Sequence, residues 1–485
     1  MTEERAFNKS ASTKGQRKDE STPLLPDAST QNSQPNVGKG QFIAIFMSLM
    51  IGAFLTALDS TIVITLLTRI GSEFEQFNAV SWLGTAYLIG SCVVQPLSGK
   101  LSDIYGRRPC IIVANIAFGL GCLGCGLSRS FKVLVCCRFL AGLGGGAMNT
   151  LSVVTVSDYV SLRQRGLYQG IANIVWGVGS SLGGVFGGLM DGAFGWRMAF
   201  ISQVPIIALA TLSVTMFVKT KPKASNKDSK LKRVDFLGSL SLMAAVGLLM
   251  FSLSTGGNEF SWKSPIIIAS LVLSPIAFVI FWWVEQNYAA EPIVPMKVLR
   301  NRTVFAANMG GWFSAMGGMA LTFYVPIFFS IVKEYTASEV GVQLTARAAA
   351  LSLGSVSAGI FMLKGKYYWL SLAFCVVQIA GAIAHVFMAP ETPDWSYYMI
   401  IAIPALGLGG VLVTLMMATV ASVGLEHQAV AISIAYAFRS TGSTIGVALA
   451  TAVFQTTLWH ALSSHLSGET AAEVIECHKQ AARVN

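Results

Sequence analysis

The chain has 485 residues, of which 53% are hydrophobic and only 12% are charged, and its formal net charge is +10. A soluble protein of this length would carry about 25% charged residues. The cations lie in short loops between apolar runs instead of gathering on one face or one tail, which is the pattern of a membrane protein. Composition therefore excludes an ordinary soluble enzyme and argues against a nucleic-acid-binding protein.

Long apolar stretches recur along nearly the whole chain, and each could cross a hydrocarbon core of about 30 Å as a helix. In lipid the backbone must satisfy its own hydrogen bonds, so spans are helices or closed barrels, and these stretches are far too long for barrel strands. The sequence thus predicts an all-α polytopic membrane protein. We expect thirteen spans, at about 41–68, 78–98, 109–128, 132–157, 168–190, 197–218, 235–254, 265–285, 303–331, 339–363, 367–389, 395–422 and 428–458.

The spans divide the chain into five regions. Residues 1–40 are polar, without periodicity, and are expected to form a disordered cytosolic tail. Residues 41–218 form an N-terminal half of six spans. Residues 219–302 contain a basic linker, two extra spans and a second polar linker. Residues 303–458 form a C-terminal half of five spans, and 459–485 a polar luminal tail. No cleavable signal peptide is expected, because the first apolar run is already a full span.

The distribution of lysine and arginine predicts that the N-terminus lies in the cytosol. With this orientation the cytosolic loops hold nearly three times as many cations as the opposite loops, including the seven in the linker 219–233. An excess of cations marks the cytosolic side of a membrane protein.

The loop between the second and third spans carries the most specific motif. Two glycines in it allow a sharp turn between closely packed helices. Its acid can pair with a helix N-terminus or with arginines, and its paired arginines anchor the loop on the cytosolic side. This loop resembles the signature loop of the major facilitator superfamily, which implies a gating role and a fold of two six-helix halves. The residues concerned are Gly99, Asp103, Gly106, Arg107 and Arg108.

An aspartate, Asp59, interrupts the first span. A carboxylate deep in an apolar helix is costly, so it is a functional candidate by default, although a structural pairing is the alternative. The segment 58–63 is similar to the first-span motif of the fourteen-span drug:proton antiporter group.

An arginine, Arg138, lies in the fourth span and needs a buried counter-charge or a water-filled cavity. The surrounding segment resembles the proton-coupling arginine motif of the same group. We therefore expect Asp59 and Arg138 to form an ion pair that is released when a proton or substrate arrives.

The fifth span contains Gly179, Gly183 and Gly187, which repeat every four residues and so share one helix face. Small residues on one face let helices approach closely. The segment is similar to the antiporter motif of this group, with Gly184 in the place of its proline. Plain helix packing is the alternative interpretation.

Residues around the second and sixth spans resemble the fungal vacuolar basic amino acid transporters. They are the segment 81–87, Gln95 with Pro96, Trp196, Arg197 and Gln203, together with the segment 438–442. Cationic substrates need acids and aromatic faces, so we expect Asp59, Tyr87, Trp176 and Gln203 to receive them.

The N-terminal tail contains an acid followed by a leucine pair, formed by Glu20, Leu24 and Leu25. This pattern is typical of a sorting signal that adaptor proteins read in an extended tail. Together with the resemblance it favours the vacuolar membrane, with the plasma membrane as the alternative.

These features favour a proton-coupled antiporter that moves lysine, arginine and histidine across the vacuolar membrane. Small cationic solutes, the bilayer and a sorting adaptor are the expected partners of a monomer, and the proton gradient replaces any cofactor. The alternatives are a multidrug or siderophore antiporter of the plasma membrane, and a non-transporting sensor or truncated paralogue.

Neither a metal site nor an enzyme is expected. The eight cysteines are scattered, and Cys122 with Cys125 forms a C-x-x-C inside a hydrophobic helix without partner ligands. Because related fourteen-span chains carry one more helix after a long luminal loop, the resemblance also implies that the final span is missing here.

Overall fold

The computed structural model describes residues 38–76, 79–80, 82–218, 235–256, 260–288, 292–294, 296–335, 337–363, 367–424 and 427–465. The sorting pattern at Glu20, Leu24 and Leu25, most of the predicted tail 1–40, the basic linker and residues 466–485 lie outside these ranges.

Helices account for nearly all of the described chain. The N-terminal half contains α1 (Lys39–Phe74), α2 (Trp82–Tyr105), α3 (Arg107–Leu127), α4 (Phe131–Tyr159), α5 (Leu162–Phe194), α6 (Trp196–Ile201) and α7 (Gln203–Phe217). An extra pair follows, α8 (Phe236–Thr255) and α9 (Pro265–Asn287), and then the short α10 (Met296–Leu299). The C-terminal half contains α11 (Arg302–Ile331), α12 (Ala337–Met362), α13 (Tyr367–Val386), α14 (Asp394–Ala421) and α15 (Gln428–His465).

Each of the thirteen predicted spans corresponds to a helix or a pair of helices, with limits that differ by up to seven residues, and two of the differences have a clear cause. The sixth span is two helices, because Pro205 has no N–H to bond the carbonyl of Ile201, and the helix breaks at Ser202. The last helix continues to His465, seven residues beyond the predicted end and into the segment predicted as a polar tail, because neither proline nor glycine interrupts it there.

Eleven spans in the described part are apolar enough to cross a membrane by length and composition, and the chain is an all-α multi-pass membrane protein. The long helices α2 and α15 are more polar, and they pack against each other between the two halves. There Ser440 donates to Gln95 at 2.7 Å, so their polar side chains face protein rather than lipid.

The two halves repeat one packing scheme. In the first half α1 packs on α5, and α4 packs on both α2 and α3. In the second half α11 packs on α15, and α14 packs on both α12 and α13. The halves meet where α5 packs on α12 and α2 on α15, and the extra helix α8 lies against α2.

A carboxylate fixes the second linker to the extra pair. Glu285, at the end of α9, is 5% exposed and accepts a hydrogen bond of 2.7 Å from the backbone N–H of Val294. The linker is thus held against the end of α9 at Val294.

Candidate functional site

A buried ion pair lies inside the N-terminal half. Nη1 of Arg138 on α4 is 2.7 Å from Oδ2 of Asp59 on α1, and the two side chains are 1% and 0% exposed. Arg138 also donates from Nε to the carbonyl of Leu83 at 3.2 Å. Because charge attraction is strong away from water, this geometry holds both side chains in one arrangement.

Other predicted residues complete the surroundings of the pair. The guanidinium of Arg138 lies 4.6 Å from the ring centroid of Tyr87, a cation–π distance. Gln203 donates to Asp59 at 3.5 Å and, at 3.0 Å, to the carbonyl of Ala199. Trp176, in contrast, is 43% exposed and contributes no hydrogen bond or ring contact to the cluster. The structure therefore brings together four of the five predicted residues.

Two neighbours of the pair were not predicted from sequence. Phe200 on α6 places its ring centroid 5.8 Å from the guanidinium of Arg138. The backbone carbonyl of Leu83 accepts from the same guanidinium, and a carbonyl leaves no signal in residue type. Pro205, which breaks the helix after α6, is a sequence signal for an irregular backbone near residue 200 but does not point to Phe200 itself.

The glycines of the fifth span bring α5 against the ion-pair helix. Gly179 lies against the carbonyl of Phe54, and Gly183 against that of Leu58. Gly187 meets Thr65, about two turns beyond Leu58 on α1. A side chain at these glycines would force the two backbones apart. The glycines therefore allow the close packing of α5 on α1, the helix that carries Asp59.

The signature loop is held by a buried arginine. Arg107, only 3% exposed, places Nε 2.8 Å from Asp158 and Nη2 2.9 Å from Asp103, and it also bonds the hydroxyl of Ser102. The predicted loop with two turn glycines is instead a turn of one residue, because Gly99 and Asp103 lie within α2 and α3 begins at Arg107. Only Gly106 makes the turn, with a φ of 96° that a residue with a side chain rarely adopts. Arg108 is partly buried, without an ion pair in the described part of the chain.

The halves are closed at the end that carries this loop. Gly99 lies against the backbone of Ala429 on α15. Arg165 on α5 donates to Gln428 at 2.8 Å, and Asn173 donates to Ser355 at 3.1 Å. These contacts cross between the halves and hold them together on this side of the bundle.

A polar cluster fastens the opposite end of the N-terminal half. Glu73, just after the first span, accepts from the indole N–H of Trp196 at 2.5 Å and from Arg197 at 2.6 Å. Burial acts to raise the pKa of Glu73, but the hydrogen bonds from Trp196 and Arg197 outweigh it and hold that pKa below its ordinary value. Trp196 and Arg197 thus have a structural role here.

Comparison with known proteins identifies the family. Residues 49–447 match the family described as "Major Facilitator Superfamily". The chain belongs to the major facilitator superfamily. It is a transporter by family and fold, not an enzyme, and the predicted fold class is confirmed.

Curated relatives of this facilitator are fungal transporters. It is 40% identical to "Multidrug resistance protein fnx1" of Schizosaccharomyces pombe, over 93% of this chain and 85% of that one. It is 35% identical to "Vacuolar membrane amino acid uptake transporter fnx2" of the same yeast, over 90% and 76%. It is 31% identical to "Vacuolar basic amino acid transporter 2" of Saccharomyces cerevisiae, over 80% and 84%.

Solved structures agree in fold. The human organic anion transporter MFSD10 (TETRAN) superposes with a TM-score of 0.62 at 15% identity, over 87% of this chain and 94% of that one. The proton:xylose symporter XylE gives a TM-score of 0.57 at 13% identity, over 92% and 95%. At these identities the likeness concerns the fold alone.

Proposed function

We propose that the protein is a proton-coupled antiporter of basic amino acids in the vacuolar membrane, with its N-terminus in the cytosol. The observation that carries this proposal is the ion pair between Asp59 and Arg138, enclosed at 0% and 1% exposure in a membrane helix bundle. Curated relatives named as vacuolar amino acid transporters support the substrate class and the membrane.

The charges of the cluster supply the coupling. With Asp59 ionised, the pair is neutral as a whole and can stay buried. Protonation of Asp59 leaves the charge of Arg138 uncompensated, and an unpaired buried charge is costly. The protonated cluster therefore favours a conformation that admits water or releases the proton. A cationic substrate is repelled by Arg138 while Asp59 is protonated, so proton and substrate occupy the site alternately.

The contacts at the loop end support a state of the transport cycle in which the cytosolic end is closed. Arg165 and Asn173 bond across the halves on the side of the signature loop, and the excess of cations there favours the cytosol for that side. Alternating access then requires these contacts to break while the halves rock about the midplane. Protons leaving an acidic lumen would drive basic amino acids into it.

The test is uptake of labelled lysine, arginine and histidine by vacuolar vesicles, with and without a proton gradient. We expect uptake that is lost on collapsing the gradient and lost in Asp59→Asn. Equal uptake by Asp59→Asn and the natural protein would refute the coupling role. Absence of gradient-dependent uptake of any basic amino acid would refute the function and leave a multidrug antiporter or a non-transporting sensor.

A multidrug antiporter is the second candidate. The 40% identity to a protein named for multidrug resistance supports it. The two functions are separated by competition: a drug that fails to inhibit lysine uptake, together with unchanged drug tolerance of cells lacking the protein, excludes the multidrug function.

A further inference from the structure

The C-terminal half contains a cavity of about 290 Å³ between α11, α12, α13 and α14. Three polar side chains line it, Arg347, Gln378 and His385. Arg347 donates from Nη2 to the carbonyl of Gly318 at 3.1 Å. No carboxylate in the described part of the chain pairs with Arg347, although a guanidinium inside a membrane bundle requires a counter-charge or water.

Because the two halves repeat one packing scheme, this cavity has the position in the second half that the ion pair has in the first half. In the first half Gly183 of α5 lies against the carbonyl of Leu58 on α1. In the second half Gly446 of α15 lies against the carbonyl of Met316 on α11 in the same way. The residue after Leu58 is the buried aspartate, whereas the residue after Met316 is Gly317. Gly317 therefore holds the position of the aspartate, and no side chain fills it.

The same comparison locates the arginine. Gly142 of α4 lies against the backbone of Tyr87 on α2, and Gly409 of α14 lies against the backbone of Leu351 on α12. Leu83, whose carbonyl accepts a hydrogen bond from Arg138, lies four residues before Tyr87. Four residues before Leu351 is Arg347. In the second half the guanidinium therefore comes from α12, the counterpart of α2, whereas in the first half it comes from α4. Both guanidinium groups reach equivalent positions in their halves.

The position of the first-half arginine is taken by a small residue. Arg138 lies four residues before Gly142, and Ala405 lies four residues before Gly409. Ala405 lines the cavity, so the space of that arginine side chain is available to Arg347. A Cβ at Gly317 would have no heavy atom within 4 Å apart from its own surroundings in the helix. The second half thus has a guanidinium, that of Arg347, but no side chain at the position that the Asp59 carboxylate occupies in the first half.

We propose that the cavity around Arg347 binds a carboxylate, which takes the place that Asp59 has in the first half. A guanidinium offers paired N–H donors that match a carboxylate, and Gln378 and His385 add polar groups beside it. In so far as the carboxylate is the α-carboxylate of an amino acid, this rests on the proposed function. A fatty acid from the membrane carries the same chemical group and is the other source.

Binding is tested directly on the purified full chain in phosphatidylcholine nanodiscs, by thermal unfolding. The probes are propionate, lysine, oleate and cadaverine, the last being lysine without its carboxylate. We expect lysine and propionate to raise the melting temperature by a few degrees, and cadaverine to leave it unchanged. Protection by oleate alone would assign the carboxylate to lipid. No protection by any carboxylate, or equal protection in Arg347→Gln, would overturn the proposal.

A second variant tests the site even if Arg347→Gln fails to fold. Gly317→Asp supplies an internal carboxylate at the open position, so it should raise the melting temperature without ligand and abolish the response to propionate. Gly317→Asn is the matched control, since its amide has the same size without the charge, and it should raise the melting temperature less than Gly317→Asp does. Equal effects of aspartate and asparagine would contradict the proposal.

Transport separates this inference from the proposed function. If vesicles take up lysine with an unchanged KM in Arg347→Gln and no carboxylate protects the natural protein, the site fails and the function stands. If propionate protects the protein in an Arg347-dependent way while no basic amino acid is transported, the site stands and the function fails.

Discussion

Nη1 of Arg138 lies 2.7 Å from Oδ2 of Asp59, and neither side chain is more than 1% exposed. The two residues are 79 positions apart in the chain, on helices that reach each other only through the packing of the half. The pair is therefore both an element of the fold and the candidate coupling device, and the two roles respond differently to substitution.

Removal of one charge of this pair should destabilise the protein more than removal of both. Asp59→Asn leaves the buried charge of Arg138 uncompensated, at a cost of about 3–5 kcal/mol for a buried pair. Asp59→Asn combined with Arg138→Gln removes that charge as well, so part of the stability should return. Thermal unfolding of the single and double variants in detergent measures this. Additive losses in the double variant would contradict the coupling between the two side chains.

The arginine of the signature loop should not be replaceable by lysine. Arg107 bonds Asp158, Asp103 and Ser102 at once, whereas one ammonium cannot reproduce that fork. Each lost hydrogen bond to a charged group costs about 1.5–3 kcal/mol, so Arg107→Lys should lower the melting temperature clearly. Arg108→Lys is the matched control and should be close to neutral, and equal losses in both variants would argue against this network.

A methyl group at Gly99 should open the loop end of the bundle. A Cβ there would lie 2.5 Å from the carbonyl oxygen of Ala429, so α2 and α15 must separate. Cys92, 3% exposed in the same interface, reports the opening. In a variant that keeps only this cysteine, Gly99→Ala should increase maleimide labelling several-fold.

The control for this wedge is Gly84→Ala, also on α2. A Cβ at Gly84 has no heavy atom within 4 Å, so labelling of Cys92 should stay at the basal rate. Equal labelling in both variants would show that Gly99 does not control the interface.

The cluster around Glu73, at the end of the N-terminal half away from the signature loop, should make the stability of the protein depend on pH. The hydrogen bonds from Trp196 and Arg197 hold the pKa of Glu73 below its ordinary value of 4.5, against the effect of burial. When folding lowers the pKa of a carboxyl group, the ionised group stabilises the protein at pH values above the pKa of the unfolded state. This stabilisation is lost as the pH falls through the pKa of the folded state. The contribution should therefore persist at pH 5 and fade below about pH 4.5.

Thermal unfolding between pH 3 and pH 7 tests this dependence. Glu73→Gln should lower the melting temperature at pH 7 and remove the part of the acid dependence below pH 4.5 that the natural protein shows. Glu75→Gln changes an exposed carboxylate without an ion pair in the described ranges, and it should leave the profile unchanged. An identical pH profile for Glu73→Gln and the natural protein would contradict the role of this carboxylate.

Some features of the site could be read from residue types and others could not. A carboxylate and an arginine inside apolar runs are visible as exceptions, because charge in lipid is costly wherever it occurs. The ring of Phe200 and the carbonyl of Leu83 are ordinary in any apolar helix, so only their placement reveals them. Trp176 shows the converse: its type suits a cation site, yet it is 43% exposed and lies apart from the cluster.

The sequence by itself determined the all-α membrane fold, the approximate limits of the helices and the family, because hydrophobic length and motif residues can be read locally. Tertiary structure decided which charges meet. Arg138 has a carboxylate beside it because Asp59 follows the leucine that Gly183 packs against, whereas the matching place in the second half is Gly317. Such pairings depend on where helices distant in the chain come into contact, and no local pattern encodes that.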